Sequence, residues 1–101
     1  MKSLLHLFIV GGLACAASLA VAGERPRVEE VRQLRDAGKI LPAEEILVRS
    51  RKVQPGQVVG LELEREDGRL IYEVKLIDNA NRFHQLELDA ATGALLRHWG
   101  K

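Results

Sequence analysis

The chain has 101 residues, with 15 basic and 14 acidic side chains, a formal net charge of +1, one Cys, one Trp and three His. That length houses one domain, and so few Cys and His leave no material for a disulfide framework or a metal cluster. The balanced charge lacks the basic excess of a nucleic-acid binder, and no apolar run is long enough to span a bilayer comfortably.

Met1 to Ala22 reads as a secretory signal. Lys2 is its positive start, Leu4 to Ala14 its apolar run, and Ala20-Val21-Ala22 a small-x-small site with cleavage before Gly23. A lipoprotein anchored at Cys15 is the competing reading, but Gly12-Leu13-Ala14 fits a lipobox poorly. An uncleaved anchor is the third. Removing 1–22 takes Lys2 and Cys15 and no acidic residue. The remainder is therefore charge-balanced and cysteine-free, and it must fold in an oxidising compartment without disulfides. The expected division is 1–22 secretory signal, 23–39 polar lead and short helix, and 40–101 the domain proper. The expected location is periplasmic or secreted, with no stable membrane insertion after cleavage.

Val28 to Ala37 predicts a short helix, with Val28, Val31 and Leu34 on one side and Gly38 at its C-terminal end. A second helix starts near Pro42, with Glu44 and Glu45 in its first turn. Ile46, Leu47, Ser50 and Val53 form its inward stripe, and Arg49, Arg51 and Lys52 lie near its negative end. Gln54-Pro55-Gly56 stops it. Beyond Gly56 the pattern alternates with period two. Asp67-Gly68 predicts a type I′ hairpin, whose register sets Leu63 opposite Tyr72, Leu61 opposite Val74 and Val59 opposite Leu76. The opposite, outer face then carries Glu62, Glu64, Glu73 and Lys75, with Val58, Ile71 and Ile77 among them.

A three-residue loop, Asn79-Ala80-Asn81, keeps the inner face apolar by opposing Val74 with Leu86 and Tyr72 with Leu88, and it places His84 on that face. The last turn, Asp89 to Gly93, has two readings. A loop of Ala90 to Gly93 sends Leu95, Arg97 and Trp99 inward, beside Leu88, Leu86 and His84. A loop one residue longer sends Ala94, Leu96 and His98 inward instead. The first is preferred because it buries the only Trp. The expected fold class is α+β: one or two N-terminal helices packed on a four-stranded antiparallel meander.

Leu41-Pro42-Ala43-Glu44-Glu45-Ile46, Val53-Gln54-Pro55-Gly56-Gln57-Val58, Tyr72-Glu73-Val74-Lys75 and Leu88-Asp89-Ala90-Ala91-Thr92-Gly93-Ala94-Leu95 together resemble the PepSY domain family. The resemblance runs from about Ile40 to Trp99, and Asn81 stands where many members carry Gly. It implies a cystatin-like arrangement of helix and sheet. It also implies a role like that of the family's peptidase propeptides and small exported members, which are proposed to inhibit or regulate peptidases. It carries over no catalytic residue and no cofactor.

The chemistry-bearing residues of 23–101 each have a plain structural account. Ser50 is a helix-interior serine and Thr92 a turn residue, so nucleophilic catalysis has little to use. A metal would need His84 and His98 to converge with a carboxylate such as Asp89, and two ligands without a clear third make no closed site. Glu62 opposite Glu73 lies on an open sheet, without the cleft that shifts a catalytic pKa. Arg49, Arg51 and Lys52, with Arg32 and Arg35, form a positive patch that lacks interleaved aromatics. Interaction remains. The expected function is a non-enzymatic exported binding protein that regulates or inhibits a peptidase. Its contact would be an edge strand or the outer-face residues Ile71, Ile77 and Phe83. The alternative is a small-ligand or sensory accessory module for an envelope signalling system, with a pocket near His84 and Trp99. An enzyme resting on His84 or His98 is the third reading.

Overall fold

The computed structural model describes residues 24–100, so the expected secretory signal at 1–22 and its expected cleavage before Gly23 lie outside the described residues. Two helices, α1 (Val28–Asp36) and α2 (Ala43–Val53), precede four strands: β1 (Gln57–Glu66), β2 (Arg69–Ile77), β3 (Phe83–Asp89) and β4 (Leu95–Gly100). The strands form one antiparallel sheet in the order β1-β2-β3-β4, as the alternating pattern predicts. No described helix is long and apolar enough to cross a membrane.

The helix α1 ends as its sequence dictates. The amides of Gly38 and Lys39 bond back to the carbonyls of Arg35 and Leu34 at 3.0 and 2.8 Å, which satisfies two of the last-turn carbonyls. Val31 and Leu34 pack against the core, while Val28, expected on the same stripe, is 77% exposed. Pro42 stands at the N-cap of α2 and its carbonyl accepts the amides of Glu45 and Ile46. Ile46 and Ser50 are fully buried and Leu47 half-buried, but Val53, assigned to the same inward stripe, is exposed. The helix stops before its last turn can reach the sheet. The chain then passes so close to the end of β2 that a Cβ on Gly56 would lie 2.5 Å from the Ile77 carbonyl oxygen.

The core lies between α2 and the inner face of β2 and β3. Val74, Leu76, Leu86 and Leu88 are fully buried there with Ile46, and Ile40, Tyr72 and Ala90 complete the cluster. Each such aliphatic contributes about 1.5–3 kcal/mol through removal from water. The link between the helices is stitched to the same layer. Tyr72 donates its hydroxyl to the Leu41 carbonyl at 2.8 Å, and the Leu41 amide bonds the Ala90 carbonyl at 2.8 Å.

Asp67 and Gly68 take φ values of +50° and +77°, the left-handed pair a type I′ turn demands, and Glu66 pairs with Arg69. Leu63 opposes Tyr72 and Leu61 opposes Val74, as the register argument requires. The next pair does not follow. The ladder shifts between Val58 and Gly60, so Val58 opposes Leu76 and packs on the core, whereas Val59 is 52% exposed. The expected assignment of Val59 inward and Val58 outward is therefore reversed. A β-bulge adds one residue to β1, and one residue flips the side-chain phase.

The β2–β3 turn is the three-residue loop, with Asn81 at φ +64° and Asp78 bonding its amide to the Arg82 carbonyl at 2.9 Å. Val74 opposes Leu86, Tyr72 opposes Leu88, and Leu76 opposes His84. The last loop is Ala90 to Gly93, with Asp89 and Ala94 bonded at 2.8 Å, and Leu95 opposes Leu88. A second bulge then inserts Leu96, so Leu86 faces His98 and Gln85 faces Trp99. The preferred inward placement of Arg97 and Trp99 is thus overturned: His98 is on the helix side, and Trp99, 46% exposed, is on the outer face.

One edge of the sheet is partly closed. Glu24 forms an isolated antiparallel bridge with Arg65, with N–H···O bonds of 3.0 and 2.6 Å, and Arg25 reaches Glu62 at 2.7 Å. The bulge on β1 gives a direct test of phase: Val58→Ala costs about 1 kcal/mol in urea unfolding, Val59→Ala less than about 0.5 kcal/mol. Equal costs would contradict the register.

Candidate functional site

Three groupings of polar or exposed side chains stand apart from the core. The first joins the β2–β3 turn to β4. The Oδ1 atom of Asp78 accepts the amides of Ala80 and Arg82, both at 2.9 Å, which leaves Oδ2 to meet His84 Nε2 at 2.7 Å. His84 Nδ1 in turn faces His98 Nε2 at 3.1 Å. Hydrogen bonding from His84, then from the Arg82 amide, holds the Asp78 carboxyl below the usual carboxylate range. His84 is buried and His98 is exposed. The sequence reading paired these imidazoles with Asp89, but Asp89 sits at the other end of β3. There it accepts the Ala91 and Thr92 amides and meets Arg69 at 3.0 Å. Burial opposes its ionisation, yet the Thr92 amide, the Arg69 guanidinium and the Ala91 amide keep Asp89 below the usual range.

Asp78, His84 and His98 lie end to end rather than around a common point, because the middle imidazole uses both ring nitrogens. That is the geometry of a proton-sharing chain, not of three ligands converging on one ion. Asp78 was not singled out from the sequence. Its position beside a three-residue loop, two residues on the partner strand from His84, was the available signal.

The second grouping is on the outer face. Glu62 opposes Glu73, and Glu62, Glu64 and Glu73 can bring carboxylate oxygens within 4.8 Å of one another. Arg25 pairs with Glu62, Lys75 lies 3.7 Å from Glu73, and Gln85 donates to Glu73 at 2.8 Å. Glu64 has no such partner among the described residues. Burial first, then the charges of Glu73, Glu62 and Glu66, push its carboxyl above the usual value. Farther along the same face Glu87, 5% exposed, is held by Arg97 at 2.7 Å, and Arg97 lies 5.5 Å from the Trp99 ring.

The third grouping is apolar. Ile77 opposes Phe83, Gln85 opposes Trp99, and Phe83 and Trp99 border one hollow with Arg82 and Gly100. Phe83 is 51% exposed. Ile71, named with Ile77 and Phe83 from the sequence, lies near the opposite end of β2 and is buried to 4% beside a hollow bordered by Leu96 and Arg97. The structure therefore brings Ile77 and Phe83 together, adds Trp99, and leaves Ile71 apart. Trp99 entered this patch only through the Leu96 bulge, which the alternating pattern does not reveal. His84 and Trp99 are on opposite faces, so they do not line a shared pocket.

The nucleophile candidates have structural roles. Ser50 Oγ donates to the Ile46 carbonyl at 2.7 Å inside α2, and Thr92 Oγ1 accepts the Ala94 amide at 3.2 Å. Burial, its largest influence, raises the Tyr72 hydroxyl above its ordinary value.

Because the folded state raises the Glu64 pKa, its contribution to stability is present below the unfolded value and is lost as pH rises through the folded one. Glu64→Gln therefore raises the unfolding free energy at pH 7, by no more than about 0.5 kcal/mol for so solvated a face, read from urea unfolding. The gain disappears as pH falls toward 4.5. A loss of stability at pH 7 would show that the like charges are compensated.

A family model for the PepSY domain, the peptidase propeptide and YPEB domain, matches residues 40–99. No curated protein and no solved structure matches the chain. PepSY domains are typically non-catalytic propeptide or regulatory modules associated with peptidases, and they are usually extracellular or periplasmic. With a match that starts in the link before α2 and runs through all four strands, the chain belongs to the PepSY family.

Proposed function

We propose that this PepSY domain is an exported, non-enzymatic regulator that docks on a peptidase of the cell envelope and occludes it. Export rests on the secretory pattern of 1–22, with cleavage before Gly23 and release to the periplasm or exterior. The observation that carries the docking reading is the outer-face patch of exposed Phe83 and Trp99 with half-buried Ile77. Large aromatics with a polar rim are the anchors that dominate interface energies. Here Arg82, Gln85 and Arg97 supply the rim. Ile71 joins the contact only where a partner reaches the far end of β2.

The open β4 edge lies beside this patch, so a partner strand paired to it would set its side chains against Phe83 and Trp99. The other edge carries the Glu24 bridge at Arg65 and the bulge at Val59, and both disfavour strand addition there.

The test is a photo-crosslinker placed at Phe83 or, as a control, at Val48 on the helix side, in cells expressing the full chain. The expected result is capture of an exported peptidase from Phe83 only, together with inhibition of that peptidase by the purified protein. The double substitution Phe83→Ala, Trp99→Ala weakens that inhibition at least about tenfold. Equal capture from both positions, or a captured peptidase whose activity is unaffected, overturns the reading.

A further inference from the structure

We propose that Asp78, His84 and His98 form a proton-operated latch that holds the end of β4, and Trp99 with it, on the sheet and releases it when both imidazoles are charged. This goes beyond peptidase docking and stands without it.

The latch follows from counting protons on the ring nitrogens. Asp78 Oδ2 accepts from His84 Nε2, so a neutral His84 presents an unprotonated Nδ1 to His98. His98 Nε2, 3.1 Å away, then donates into it. A first proton is accommodated at the outer nitrogen of the exposed His98, because the bridging hydrogen stays where it is. The bond between the rings becomes charge-assisted, and Asp78 supplies the counter-charge at the other end. A second proton has no such place. It must go to His84 Nδ1, where it faces the hydrogen already on His98 Nε2, and the two cations then repel across a contact that was a hydrogen bond.

The surrounding charges do not relieve that clash. The turn contributes Asp78 and Arg82. On α2, Arg49 is engaged with Glu45 and, with Lys52, borders the Gly93 turn at the other end of β3. Lys75 on β2 and Arg97 on β4 are taken by Glu73 and Glu87 on the outer face. Among the described residues Asp78 is the only carboxylate bonded to either ring. The space is tight as well: Gly100 opposes His84 so closely that a Cβ there would collide with the imidazole. The rings are 5.3 Å apart between centroids, a nearly end-on approach for nitrogens at 3.1 Å.

This joint matters to β4 because, beyond the backbone ladder to β3 and the Arg97–Glu87 pair, side chains contribute little to holding that strand's far end. Leu95, His98, Trp99 and Gly100 are all exposed, and no side chain of β4 belongs to the buried core. Trp99 follows His98 directly, so release on the helix side moves the indole on the outer face.

Trp99 is the only Trp in the chain, so tryptophan emission reports the surroundings of this one indole at the end of β4. The experiment is a pH titration of the full protein followed by tryptophan fluorescence, with far-UV circular dichroism to verify that the fold persists. The expected result is one reversible red shift as the pH is lowered through the range in which imidazoles ordinarily take up a proton. His98 is exposed, so His98→Gln leaves the core untouched; its amide satisfies either protonation state of His84, and the shift disappears. Asp78→Asn removes the anion that favours the charged imidazoles, so their charging, and the shift with it, moves to lower pH. A flat trace for the natural protein, or an unchanged shift in His98→Gln, overturns the proposal.

Discussion

The inner face of β2 and β3, sealed by Ile46 of α2, is the constraint from which the remaining structure follows. Val74, Leu76, Leu86 and Leu88 have no solvent exposure, and a one-residue slip in the β2–β3 pairing would turn one strand's pair of them to the outer face. The three-residue turn that sets this pairing is therefore not an incidental loop. Asp78 folds it by accepting two of its amides, and the same carboxylate then orients His84. Packing, turn and the Asp78–His84 bond are consequences of one register.

The outer strands are under a weaker constraint, and both are irregular. β1 and β4 each bury less than the central pair, and each accommodates an extra residue. The irregularities have opposite effects on the surface. On β1 the bulge turns Val59 to water at an edge, a device that discourages strand pairing. On β4 it turns Trp99 toward Phe83 and brings His98 to His84. The patch and the proton-sharing chain thus share one cause, the insertion of Leu96.

Much of the architecture was legible because turn chemistry and alternation agree. Asp67-Gly68 and the Asn79-Ala80-Asn81 loop each specify a length, and only one register leaves Tyr72, Val74, Leu86 and Leu88 on a common face. What was illegible has a specific physical reason. Both bulges fall where two apolar residues are adjacent, Val58-Val59 and Leu95-Leu96, so the alternating pattern is ambiguous in phase at those points. A preference for burying the lone Trp then chose wrongly. The Asp78–His84–His98 chain was hidden for the same reason, since its last member depends on the second bulge. The Ile71, Ile77, Phe83 grouping was drawn from face assignment alone, which says nothing of distance along a strand or of what covers each residue. The identity of a partner is not written in side-chain alternation at all, because occlusion requires shape and no particular chemistry.

The bridge between Glu24 and Arg65 bears on stoichiometry. A sheet with two open edges can recruit a strand on each side and so propagate into a chain of copies. Here one margin is bridged by the lead segment at Arg65 and bent by the bulge at Val59, whereas among the described residues β4 carries no such bridge and only its own bulge at Leu96. A pairing made through a single margin is self-terminating: it yields one complex, or one symmetric pair, and presents no second margin from which a filament could grow.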